Sequence, residues 1–187
     1  DVTPHPGNDE KTMSKLLYWI QEKYLIPHAR KVGTQWITHG EILKTNMQKK
    51  FGVDLETISV VPHGILEGFS VGGGEPSPKK TPPKLTDTPG PVLFFGRMEL
   101  YKGLHVLADA IPLVLERLPE AKFVIAGRGS ALEAERAKLL AHPQVELKDY
   151  YIETAEVAQL YSEASINLAP YIEASQSGVI ASGYAFD

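Results

Sequence analysis

No cysteine occurs among the 187 residues. Disulfides, thiolate metal ligands and cysteine nucleophiles are thereby excluded, and a reducing cytoplasm is compatible. Long apolar runs are also missing: none approaches the roughly 20 residues that a membrane-spanning helix needs. The opening Asp1-Val2-Thr3-Pro4-His5 is no signal peptide. It also lacks an initiator Met, and the chain is read as beginning within a longer protein. The six histidines show neither His-x-x-x-His nor His-x-His spacing, so no histidine metal site is expected. No loop ends in Gly-Lys-Ser or Gly-Lys-Thr, and no Gly-x-Ser-x-Gly elbow is present, which argues against P-loop triphosphatases and α/β-hydrolases. A basic excess is lacking too: the net charge is -4, against a general nucleic-acid binder.

What the chain does contain is one repeated unit of apolar strand, turn and amphipathic helix. Hydrophobic residues make up 43%, ordinary for a globular protein of one or two domains. Val92-Leu93-Phe94-Phe95, Phe123-Val124-Ile125-Ala126, Val145-Glu146-Leu147-Lys148 and Ile166-Asn167-Leu168-Ala169 read as strands, three of them nearly continuous in apolar residues as buried parallel strands are. Between them Leu104, Leu107, Ala108, Ile111, Val114, Leu115 and Leu118 recur at helical spacing, as do Leu132, Ala134, Ala137 and Leu140, then Val157, Leu160 and Tyr161. Pro112 should kink or weaken a turn of the first of these helices. The fold class is α/β with parallel sheets, and its strand-to-helix turns share the edge where ligands of open sheets bind.

Those turns are therefore the candidate site. Gly96-Arg97 runs on to Lys102-Gly103; then come Gly127-Arg128-Gly129-Ser130, Asp149-Tyr150-Tyr151 and Pro170-Tyr171-Ile172-Glu173. Arg97 and Lys102 flank a short loop after a buried strand, where two cations can neutralise a diphosphate; a surface pairing with Glu99, or a lysine that merely flanks a helix, is the alternative. Gly127-Arg128-Gly129 has two glycines of a dinucleotide fingerprint, but Leu132 stands where the third would fall, so a plain tight turn is favoured. Glu173 is read as opening a helix through Ala174, Ser175, Gln176, Ser177 and Gly178. Its charge would either favour the helix N-terminus or accept ligand hydroxyls, with amides from Ser175 to Gly178 facing an anion.

Upstream, a helix is expected over about 10–25, with Met13, Leu16, Leu17, Ile20, Tyr24 and Leu25 on a core-facing side and Lys11, Lys15 and Lys23 elsewhere. A membrane-surface helix is the alternative. Trp36-Ile37-Thr38 and Ile58-Ser59-Val60-Val61 read as short strands around a helix over 40–51, and Pro62-His63-Gly64 closes this part. Residues 66–90, rich in Gly and Pro, read as a linker. It separates residues 1–65 from residues 91–187.

The ordered set Val60-Val61-Pro62-His63-Gly64-Ile65, Phe95-Gly96-Arg97, Lys102-Gly103-Leu104, Val124-Ile125-Ala126-Gly127 and Pro170-Tyr171-Ile172-Glu173-Ala174-Ser175-Gln176-Ser177-Gly178-Val179 resembles the family 4 retaining glycosyltransferases of GT-B fold. The resemblance covers nearly the whole chain. It implies the later part of an N-terminal, acceptor-side Rossmann-like domain over 1–65 and the first part of a C-terminal, nucleotide-sugar-binding domain over 91–187, with both ends cut. It implies transfer of a hexose from a nucleotide-sugar, such as a UDP-sugar, to a carbohydrate or lipid-linked acceptor in bacterial polysaccharide or glycoconjugate synthesis. Arg97, Lys102 and Glu173 would be the catalytic set; Gly96, Gly127, Arg128, Tyr150, Ser175, Gln176, Ser177 and Gly178 would bind donor. No cofactor or metal is expected. The location would be cytoplasmic, with peripheral membrane contact through the helix near 10–25 as an option. The family's second acid falls on Ala181, and Asp1 stands where a His-Asp pair would end. A non-catalytic nucleotide- or partner-binding fragment is the alternative function.

Overall fold

The computed structural model describes residues 12–62, 90–174 and 177–184. Asp1, the helix start before Thr12, His63, nearly all of the expected linker, Ser175 and Gln176 lie outside the described residues. The chain divides into two compact units, Asp1–Gly64 with Ala174–Gln176, and Ile65–Glu173 with Ser177–Asp187.

In the first unit a continuous helical stretch runs through α1 (Thr12–Ile20), a π-helical turn (Gln21–Leu25) and α2 (Ile26–Lys31). It continues six residues past the expected end. The π turn immediately precedes Pro27, which has no N–H to give; Ile26 N–H bonds back to the Gln21 carbonyl, and the wider turn absorbs the proline. The expected core-facing stripe is a correction: Leu16, Leu17, Tyr24 and Leu25 are about half exposed, and of this stretch Ile26 alone is buried among the described side chains. Strands β1 (Trp36–Thr38) and β2 (Ile58–Val60) pair in parallel around α3 (Glu41–Phe51), which ends on left-handed Gly52. The core here is Met47, Val53 and Ile58, flanked by Trp36 and Phe51.

The second unit is a four-stranded parallel sheet of β3 (Val92–Phe95), β4 (Phe123–Ala126), β5 (Val145–Lys148) and β6 (Ile166–Asn167), in the order β5-β4-β3-β6. Alternation along β3 and β4 sends Phe94, Phe123 and Ile125 to one face, against α4 (Leu104–Arg117) and α5 (Ser130–Leu140). Leu93, Val124 and Ala126 go to the other face, against α6 (Thr154–Glu163). Strands buried on both faces explain the continuous apolar runs. Helix α4 runs on through Pro112. Leu118 lies beyond its end and, like Leu140, is exposed.

Two expectations fail at the end of the chain. Strand β6 stops at Asn167: Leu168 N–H reaches the Leu93 carbonyl, and the backbone then leaves the ladder ahead of Pro170, which cannot donate. Helix α7 (Gly178–Gly183) starts five residues after Glu173, capped by the Ser177 hydroxyl, so Glu173 is an exposed residue of a bend and opens no helix.

Candidate functional site

Strand order decides where a ligand can sit. From β3 the chain steps outward to β4 and β5, then returns to place β6 on the other side of β3. The reversal leaves a crevice beyond the carboxyl ends of β3 and β6, the position at which open α/β sheets bind ligands.

Lys102 fills that crevice. It ends a 3-10 turn (Leu100–Lys102) and precedes left-handed Gly103, the N-cap of α4. Two glycines make room. A Cβ on Gly96 would collide with the Lys102 ammonium, and one on Gly103 would collide with the Pro170 carbonyl, where the β6 turn abuts the start of α4. Positive φ values of 116° and 75° disfavour any other residue there.

Lys102 is 6% exposed and, among the described residues, has no ion-pair partner. Burial pushes its pKa down to about 8; the nearby Arg97 charge lowers it further and Glu99 opposes both. Its ammonium stands 5.6 Å from the ring centroid of Tyr171. Arg97 is exposed beside it. An anion arriving beside these two charges would raise the pKa that burial lowers.

The other expected residues are distributed along the same edge. Gly127 is buried, with its N–H bonded to the Lys148 carbonyl at 3.0 Å. Exposed Arg128 accepts from Met98 N–H through its carbonyl at 2.8 Å, which ties the β4 turn to the β3 turn. Leu132 is 2% exposed and belongs to the core, so the third fingerprint glycine is replaced by a packing residue. Tyr150 follows β5, two strands from β3, and its hydroxyl donates to Glu156 at 2.7 Å in a cluster with Lys148. Ser177 caps α7, and Gly178 is its first residue. Glu173 is exposed, two residues beyond Tyr171. Tyr171 lies in one of the expected turns but received no role of its own, because an aromatic in a turn carries no signal, and it is the residue against which Lys102 packs.

Among the described residues no cluster of three His, Cys, Asp or Glu side chains is arranged to hold a metal ion, and no helix is long and apolar enough to cross a membrane. Clefts of about 240 Å³ under α6 and about 430 Å³ beside Arg30 and Trp36 include none of Gly96, Lys102 or Gly127.

The family described as glycosyl transferases group 1 matches residues 90–187. This chain belongs to that family. Phosphatidyl-myo-inositol mannosyltransferase of Mycobacterium tuberculosis is 44% identical over 54 residues, which is 27% of this chain and 14% of that protein. A glycosyltransferase from Rickettsia africae ESF-5 superposes with a TM-score of 0.65 at 15% identity, covering 88% of this chain and 46% of the other. WaaG, a glycosyltransferase involved in lipopolysaccharide biosynthesis, superposes at 0.59 with 17% identity, over 98% of this chain and 55% of WaaG. These solved structures are GT-B proteins, and the fold of this group 1 chain is GT-B. The chain spans about half the length of those structures and far less of the mannosyltransferase.

Proposed function

We propose that this glycosyl transferase chain, as part of a longer protein, serves the transfer of a hexose from a nucleotide-sugar to an acceptor hydroxyl, with retention at the anomeric carbon as in family 4. Residues 91–187 hold the donor and residues 1–65 belong to the acceptor side, with the linker over 66–90 between them. The observation that carries this reading is the buried Lys102 at the switch point beside Arg97, with no ion-pair partner among the described residues. As the anomeric C–O bond breaks, negative charge grows on the departing diphosphate, and these two cations stabilise it. The departing phosphate oxygen takes the acceptor proton on the same face, so the protein need supply no base. Glu173, Ser175, Gln176, Ser177 and Gly178 bind donor hydroxyls or phosphate, with Gly96, Gly127 and Arg128 shaping the edge. The chemistry uses two cations and no metal.

The donor is a nucleoside diphosphate sugar such as a UDP-sugar, and the acceptor is a carbohydrate or a lipid-linked one. A cytoplasmic location with peripheral membrane contact belongs to the same reading. Exposed Leu16, Leu17, Trp19, Tyr24 and Leu25 beside Lys15 and Lys23 support that contact. Ala181, in place of the second family acid, favours a second reading, binding without transfer.

Calorimetry with UDP and GDP tests the site. Saturable binding that Arg97→Ala and Lys102→Ala each weaken is expected; binding indifferent to both substitutions removes the reading. Consumption of a nucleotide-sugar only when acceptor is present separates transfer from bare binding.

A further inference from the structure

A lysine side chain has four rotatable bonds and a strongly hydrated head, and an unpaired one ordinarily reaches for water. Lys102 instead packs its stem away, leaving the residue 6% exposed, with no carboxylate partner among the described residues. The space left at Gly96 admits the ammonium but does not hold it. The group that faces it is the Tyr171 ring, within the reach of about 6 Å over which a ring face attracts a cation.

Tyr171 is itself fixed from three sides. Next to it, Ile172 N–H donates to the Tyr101 carbonyl at 2.8 Å. The Tyr101 and Tyr171 rings meet edge to face, with centroids 6.0 Å apart. The Tyr171 hydroxyl and the Ser177 hydroxyl are hydrogen-bonded at 2.9 Å, and Ser177 accepts the Ile180 N–H of α7 at 3.3 Å. An aromatic bound to both the β3 turn and the start of α7 cannot easily swing away.

The geometry points to Tyr171 as a positioning residue: its ring holds the Lys102 ammonium at the switch point, and its hydroxyl ties that cation to Ser177, the cap of α7. The inference rests on the reading of Lys102 as an anion-binding group. An arriving diphosphate meets an ammonium already in place, so no flexible side chain has to be ordered on binding. Tyr171 acts through Lys102 and takes no part in the chemistry.

Two measurements on the full chain decide it. The first uses no nucleotide: in protein carrying ¹³C-lysine, the Lys102 ε-CH₂ signal, assigned by its loss in Lys102→Met, is expected upfield of the lysines that stand over no ring, a set that excludes Lys23 and Lys50, through the Tyr171 ring current. It should remain upfield in Tyr171→Phe and move to the common lysine position in Tyr171→Leu. A wild-type signal at the common position, or a Phe variant that behaves like Leu, overturns the proposal. The second is a cycle with UDP: Tyr171→Leu should weaken binding roughly threefold to tenfold beside Lys102 and leave it unchanged in a Lys102→Met background. Equal losses in both backgrounds show that Tyr171 does not act through Lys102. If UDP fails to bind even the wild type, the donor-site reading falls while the lysine spectrum still decides the role of Tyr171.

Discussion

Residues 12–62 and residues 90–184 follow the same alternation of helix and strand and end at opposite extremes of burial. In the later part Leu93, Phe94, Ile111, Ile125 and Leu139 are at most 1% exposed, between a four-stranded sheet and helices on both faces. In the earlier part the buried cluster is Met47, Val53 and Ile58, while Leu16, Leu17, Trp19, Tyr24 and Leu25 are 47–59% exposed. An apolar stripe is a demand for a partner surface, and burial follows only where one is offered. Two paired strands of three residues each offer little; four strands wound on both faces offer enough.

The sharpest way to break this contrast is to remove equivalent side chains from each part. Phe94→Ala and Ile111→Ala should each cost about 2–5 kcal/mol of unfolding free energy in urea, the usual range for a large side chain lost from a packed core. Leu17→Ala should stay within about 0.5 kcal/mol, and a loss comparable to that of Ile111→Ala would show that the helix face is covered in solution.

The next largest effect belongs to the switch point. Lys102→Met should weaken UDP binding about 10- to 100-fold, the usual worth of a charge-assisted hydrogen bond, whereas Lys23→Met in the earlier part should leave it unchanged. Equal effects would place the anion elsewhere.

A smaller effect follows from the proton on Lys102. Its pKa is depressed from the ordinary lysine value to about 8, so between about pH 8 and the unfolded value the unfolded chain holds more protons than the folded one. The contribution of this group to stability therefore rises with pH across that window. Affinity for UDP should move the other way, falling by up to about tenfold per pH unit above pH 8 as the ammonium is lost. Lys102→Met should flatten both dependences; profiles that keep their slopes in the variant would assign them to another group.

The weakest expected effect is at Tyr150. Its hydroxyl is engaged with Glu156 after β5, and Tyr150→Phe should change UDP affinity by less than about twofold. A larger loss would extend the anion site along the sheet edge.

Much of the later part is legible in the residues themselves. Val92 to Phe95 and Phe123 to Ala126 form strands over the expected positions because continuous apolar runs between turns suit strands buried on two faces, and Val145 to Lys148 forms the edge strand by alternating apolar and charged residues. The placement of Gly96, Lys102 and Gly127 at one edge follows from the shared direction of the crossovers. Glu173 was misread as a helix start because a charged residue after a strand and before small polar residues resembles a cap; the true cap, Ser177, lies four residues on. The π turn before Pro27 carries no periodicity signal, since its wider hydrogen bonding shifts the register of the stripe.

Local sequence alone determined the strands, most of the helices, the turn glycines and the pair of cations, because each depends on spacing within about a dozen residues. Only the tertiary structure decided that β6 returns beside β3 and creates the crevice. It also decided that Lys102 is buried there against Tyr171, 69 positions away in the chain, and that the stripe of the first helix is left exposed among the described residues. Strand order and desolvation depend on which distant surfaces meet, and no periodicity along the chain records that.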